Sequence, residues 1–198
     1  MSPDLPFDPA HINRLIHARR SVYVRSFVPG QVIPNEIVWQ LLDNANTAPT
    51  HKRTEPWRFA VFAGEGRRRL AQFQAELYRQ KAGGKFDEGK YQKLLSQPLE
   101  CSHVIAIGMK RHPVVPEMEE IAAVAAAVQN IYLSATAYGL GGYWSTGGVT
   151  FYPEAKAFFD LGAEDQLLGF FFLGYPSESL PAPPLRGPIQ DKVTWVGE

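Results

Sequence analysis

Arg19, Arg20, Ser21 and Arg25 fall within seven positions, in the stretch RRSVYVRSF at 19–27. The chain as a whole carries 20 Lys and Arg against 20 Asp and Glu, so no bulk demand for positive charge explains the crowding. Guanidinium groups are permanently charged, forked donors, and a serine adds a hydroxyl and a backbone N–H. Such a set suits a phosphate or the carbonyl edge of a heterocycle. The structural alternative is a solvated helix end, because cations favour the negative end of the helix dipole.

Other candidates for chemistry are weaker. The histidines His11, His17, His51, His103 and His112 are scattered, without the spacing of a zinc site. His103 opens an apolar run and reads as a satisfied core histidine. The acids of EMEE at 117–120 sit where a helix starts, and there carboxylates are structural. Cys101 is the one cysteine, so it has no internal disulfide partner and reads as a buried small hydrophobe. A phosphate-binding G-x-x-x-x-G-K-[ST], a G-x-S-x-G nucleophile elbow and a G-x-G-x-x-G after a first strand are all missing. With no side-chain nucleophile or general acid on offer, the chemistry is either carried by a cofactor or absent.

The elements that must position these residues follow from local pattern. With 198 residues, 45% of them hydrophobic and 20% charged, the chain is long enough for one sizeable core. The charge balance favours neither nucleic acid nor an acidic membrane. The longest apolar stretch of the alanine-rich region, 121–128, is too short to span a bilayer. The opening MSPDLPFDPAHINRL lacks a basic run followed by an apolar core, which predicts residence in the cytoplasm.

Asp8-Pro9 predicts a helix start, and that helix ends near Ser21 with Arg19 and Arg20 in its last turn. A second helix follows Pro34, with Ile37, Val38, Leu41, Leu42 and Ala45 as its stripe. The proline-bounded APTHKRTEP (48–56) is a loop, and WRFAVFA (57–63) a strand. Leu70, Phe73, Leu77 and Tyr78 mark a third helix, and Tyr91 to Leu95 a short fourth. HVIAIGM (103–109) reads as a central strand. The longest helical signal is 117–142, capped near Gly139, with small residues on nearly every side; it calls for burial under a second subunit as well as its own core. GGYWSTGG (141–148) is a glycine-bounded strand or loop, a short helix opens at Pro153, and QLLGFFFLGYP (166–176) is a third apolar strand. The order predicts an α+β fold, a mixed sheet flanked by helices, in a single domain over 1–198 with extended arms at 1–7 and 177–198.

The helix ending in RRS, then APTHKRTEPWRF, the long alanine-rich helix running into YGLGGYWSTG, and LLGFFFLGYP together resemble the nitroreductase family of FMN proteins, most closely its short, single-domain NAD(P)H nitroreductase branch. The resemblance implies a nitroreductase-like α+β fold whose central mixed sheet is mainly antiparallel. It also implies an intertwined homodimer with two FMN sites at the interface, each built by both subunits. Carried over residue by residue, it implies FMN contacts at Arg19, Arg20, Ser21 and Arg25, at Thr47 and His51, at Trp144, Ser145, Thr146 and Gly147, and at Lys192 or Arg186 in the tail. Tyr23 stands where relatives carry a basic residue, so either Tyr23 or Arg25 faces the flavin. Trp57 is expected to anchor the core.

The implied activity is ping-pong hydride transfer from NAD(P)H, a transient electron donor, to a nitroaromatic, quinone or similar small acceptor. The stretch 81–98, with Lys85, Lys90, Tyr91 and Lys93, is expected to border the acceptor site. The alternatives are dehalogenase or flavin-fragmenting chemistry on the same scaffold, and a flavin-binding homodimer without turnover.

Overall fold

The computed structural model describes residues 7–178, 180 and 185–197. Most of the expected arm at 1–7 and part of that at 177–198 lie outside the described residues.

Local chemistry marks most of the helix starts. Helix α1 (Pro9–Ala18) starts on Asp8, whose carboxylate accepts from the Ala10 N–H at 2.9 Å, with proline at the first position. Helices α2 (Asn35–Asn46) and α5 (Glu117–Ala137) each follow a proline. Helix α3 spans Glu65–Ala82, and α4 (Glu88–Ser96) is capped by Asp87. Helix α5 is shorter than the pattern suggested. Gly139 takes a left-handed φ of 69° one residue past the Tyr138 cap, which ends the helix and frees 141–145 to become a strand.

Strands β1 (Trp57–Phe62), β2 (His103–Met109), β3 (Gly141–Ser145) and β4 (Gln166–Gly174) form one sheet in the order β1-β2-β4-β3. The expectation of a mixed sheet is met only marginally. Among the described residues the strand pairings are antiparallel, and the parallel contact is a single bridge between Ser21 and Gly142. The core divides by the two-residue period of the strands. Ile105, Ile107, Phe171 and Leu173 face α2 and α5 in one cluster; Val104, Ala106, Phe170 and Phe172 face α3 and the 3-10 turn at Pro153–Phe159 in another. Trp57 is buried and donates its indole N–H to Asn46 at 2.9 Å, the anchoring role expected of it.

The register slips between Ile107 and Gly108 of β2, which leaves Leu168 of β4 bulged out of the pairing. Gly169 beside it holds φ 125°, and a Cβ there would stand 2.3 Å from the Ser145 carbonyl oxygen.

The buried histidine and the buried glutamate inside this frame are both satisfied. His103 is 1% exposed. Its Nδ1 lies 2.8 Å from Ser102 Oγ and its Nε2 3.1 Å from Asn35 Oδ1. Ser102 Oγ also accepts the Ile33 N–H at 2.7 Å, so its own proton points to His103 Nδ1 and the ring carries hydrogen on Nε2. Burial, and secondarily the Arg67 charge, pushes the His103 pKa below 6.5. The unfolded chain therefore takes up a proton that the fold resists. Stability is complete above about pH 6.5 and falls below it, with a slope of at most about 1.4 kcal/mol per pH unit from this group. Urea unfolding at pH 7.5 and pH 5.5 is expected to show that loss, and His103→Gln to reduce it. An undiminished loss in the variant would assign the effect to other groups.

Glu120, the buried acid of EMEE, is structural. Glu120 is 1% exposed and takes hydrogen bonds from the His112 N–H at 3.1 Å, from His112 Nδ1 at 2.8 Å and from Arg111. Burial works to raise its pKa, but these donors hold it below the usual carboxylate value. Cys101 is buried, and desolvation pushes its thiol up to about 12, which leaves it inert near neutrality. Among the described residues no helix is long and apolar enough to cross a membrane, and no group of three His, Cys, Asp or Glu could hold a metal.

Candidate functional site

The turn after α1 and the start of β3 meet in one chain. Arg19 caps α1 and turns extended, which carries the chain toward the sheet edge. Ser21 bridges Gly142, and the Val22 N–H donates to the Gly142 carbonyl at 2.8 Å. Gly142 is required here, because a Cβ would stand 2.4 Å from Phe171 Cζ. The paired glycines therefore make room for core aromatic rings.

Tyr132 of α5 lies beneath this junction. The Arg19 guanidinium sits 5.1 Å from the centroid of its ring. Its hydroxyl lies 3.3 Å from Ser21 Oγ and accepts the Trp144 backbone N–H at 2.7 Å. The ring in turn meets Phe171 edge-on at 4.7 Å. Trp144 is half-buried, packs against the α2/α5 core cluster and donates its indole N–H to the carbonyl of the bulged Leu168 at 3.1 Å. Beyond it, Ser145 is half-exposed, and Thr146 and Gly147 are exposed. The Gly147 N–H donates to Ser145 Oγ at 3.3 Å. Arg20 is half-buried beside Ser21, which is exposed.

Other expected site residues lie apart. Arg25, in the 3-10 turn Val24–Ser26, sits over Tyr23, whose ring is 4.8 Å from Tyr143. Tyr143 packs on the sheet face opposite Trp144, so Tyr23 and Arg25 belong to that other face. They line a cavity of about 430 Å³ with Lys93 and Glu100. Thr47 caps α2, donating to the Asn44 carbonyl at 2.8 Å, and lies beside Asn130. Asn130 is two residues from Tyr132, which puts it about 200° around the helix. His51 pairs with Glu119. Glu119 and Tyr132 are thirteen residues apart on α5, about 20 Å along its axis. Lys192 folds back to donate to the Pro188 carbonyl at 2.8 Å, within the tail. Lys93 borders the cavity, whereas Tyr91 hydrogen-bonds Glu76 at 2.9 Å and braces α4 on α3.

Sequence reasoning missed Tyr132. Its one signal was a phenol in a helix rich in small residues, at a position in phase with buried Val124, Val128 and Ile131.

The model of the nitroreductase family matches residues 16–175. The putative NAD(P)H nitroreductase YdjA of Escherichia coli K12 is 32% identical over 131 residues, covering 65% of this chain and 70% of its own. A nitroreductase-like family protein from Bacillus cereus superposes with a TM-score of 0.79 at 28% identity, covering 98% of this chain and 99% of its own. The FMN-dependent nitroreductase NfnB of Mycobacterium smegmatis, solved with NADPH, superposes at 0.75 with 20% identity, over 96% of this chain and all of its own.

Proposed function

This chain belongs to the nitroreductase family, and we propose that it holds FMN and acts as an FMN-dependent oxidoreductase, with NADH or NADPH as donor and a nitroaromatic, quinone or similar small molecule as acceptor. The observation that carries this reading is the meeting of Arg19 and Ser21 with the Trp144 backbone around Tyr132. The donor set fits the cofactor. FMN offers phosphate and pyrimidine oxygens, which are acceptors, and the turn offers two guanidinium groups and an exposed hydroxyl. The names of the family relatives and the NADPH complex of NfnB support the same assignment.

Bound FMN would supply reversible hydride acceptance, a chemistry that no side chain here provides. The chain's own tasks are then binding, orientation and electrostatics. Arg19 and Arg20 would neutralise the phosphate or the negative charge of a reduced ring. Ser21 would donate a hydrogen bond, and the exposed backbone at Thr146 and Gly147 would border the ligand. This reading accounts for the lack of a dinucleotide fingerprint, since the nicotinamide need only stack transiently. It places the protein in the cytoplasm, where reduced nicotinamides are supplied.

The same reading includes a homodimer. Thr47 and His51 stand too far round and along α5 to join the Tyr132 junction of their own chain, so a second copy would have to bring them. Apolar surface left open supports that: Ile12 and Ile16 on α1 are nearly half exposed, Ile121 on α5 is 38% exposed and Trp195 in the tail 71%. Ala126 lines a shallow groove with Pro49, His51, Glu119 and Ala122 on the same side of α5. A charge there would be trapped at the interface. Ala126→Glu is expected to yield monomer and to lose flavin with it. A variant that light scattering finds still dimeric would remove this helix from the interface.

Anaerobic addition of NADH and NADPH tests the activity. Purified protein should be yellow and should bleach. A yellow protein that never bleaches would indicate a binding module without turnover, and a colourless one that refuses FMN would remove the flavin reading.

A further inference from the structure

We infer that Tyr132 is the positioning residue of the FMN site, one side chain that sets Arg19, Ser21 and the Trp144 backbone relative to one another. The inference rests on the reading that these residues hold FMN. Tyr132 is itself fixed: it is 8% exposed, belongs to a 21-residue helix and packs edge-on against Phe171, which is fully buried. Its two ends do different work. The ring holds the Arg19 guanidinium at 5.1 Å from its centroid, and no carboxylate among the described residues pairs with that group. The hydroxyl joins the two backbone segments of the site, Ser21 at 3.3 Å and the Trp144 N–H at 2.7 Å.

The hydroxyl also sets a polarity. Tyr132 Oη accepts from the Trp144 N–H, and its own hydrogen then finds Ser21 Oγ, the acceptor that lies within reach. Ser21 Oγ thus accepts from inside the protein, and its own O–H is left to point outward. An outward O–H is the polarity that phosphate and carbonyl oxygens require. Tyr132 thereby presents Ser21 as a donor, holds Arg19 beside it and ties both to the strand end. Tyr132 acts through these neighbours.

The test titrates FMN into apo-protein, follows quenching of flavin fluorescence, and compares the parent, Tyr132→Phe, Tyr132→Leu, Arg19→Ala and the double variant Arg19→Ala/Tyr132→Leu. Tyr132→Phe keeps the ring under Arg19 and removes the hydroxyl, so the Kd is expected to rise about fivefold. Tyr132→Leu removes both and is expected to raise it about 50-fold. In the Arg19→Ala background the ring has no cation to hold, so Tyr132→Leu should cost only about fivefold more. A purely structural tyrosine would cost the same factor in both backgrounds, and that result would overturn the inference. So would Phe and Leu variants that both bind within about twofold of the parent. If Tyr132→Leu does not fold, as judged by circular dichroism of the apo-protein, Tyr132→Phe decides alone: about fivefold weaker binding upholds the role of the hydroxyl, and binding within about twofold of the parent refutes it. A parent that binds no FMN, or an Arg19→Ala variant that binds it unchanged, would instead overturn the FMN reading and leave Tyr132 with no site to position.

Discussion

Arg19→Ala is expected to weaken FMN binding by about 2–4 kcal/mol, roughly 30- to 1,000-fold in Kd. The magnitude comes from leaving charged oxygens without their strongest donor in a half-enclosed setting. Little else should change in the variant. Arg19 closes α1 through its backbone N–H, which donates to the Leu15 carbonyl at 3.1 Å, and alanine keeps that bond. What the fold loses is the cation over the Tyr132 ring, worth about 0.5–1 kcal/mol at a partly exposed site. The effect therefore falls on binding far more than on stability, and flavin titration together with urea unfolding of the apo-protein separates the two. Arg19→Lys should recover part of the affinity, because it restores the charge but not the fork. Flavin retention unchanged in the alanine variant would contradict the assignment of this turn to the cofactor.

Gly169→Ala should be strongly destabilising, with a stability loss of about 2–6 kcal/mol. Two costs combine. A φ of 125° is strained for any residue with a Cβ, at about 1–3 kcal/mol. The added carbon would also stand 2.3 Å from the Ser145 carbonyl oxygen and 2.9 Å from the Trp144 indole nitrogen, and overpacking of this kind costs about 1–3 kcal/mol more. Relief requires β3 to shift away from β4 at the very residues that end in the candidate site. The indole would lose its bond to the Leu168 carbonyl, and Ser145 would move with it. Flavin retention is accordingly expected to fall even at temperatures where the variant stays folded. Chemical denaturation within about 1 kcal/mol of the parent would show that the bulge adapts more cheaply than this geometry allows.

Local chemistry carried much of this protein in the sequence alone. The strand 103–109 was legible to the residue, because a short apolar run bounded by polar residues has few other readings. The helix starts at Pro9 and after Pro34 followed from capping and proline rules, and His103, Glu120 and Trp57 took the structural places their patterns suggested. The cluster of candidate donors at Arg19, Arg20 and Ser21 was also legible, since three such residues in a row are a local fact. What only the tertiary structure decided is which residues meet. Ser21 and Tyr132 are 111 positions apart, and their contact depends on α5 crossing beneath the edge of β3. Arg25, four residues from Ser21 in sequence, was carried to the other face of the sheet by the turn at Val24–Ser26. The bulge at Leu168 that anchors Trp144 comes from a slip in strand register. Spacing along the chain constrains neighbours within a helical turn or a strand. Pairings across the sheet are chosen by how whole faces pack, and no local window contains that information.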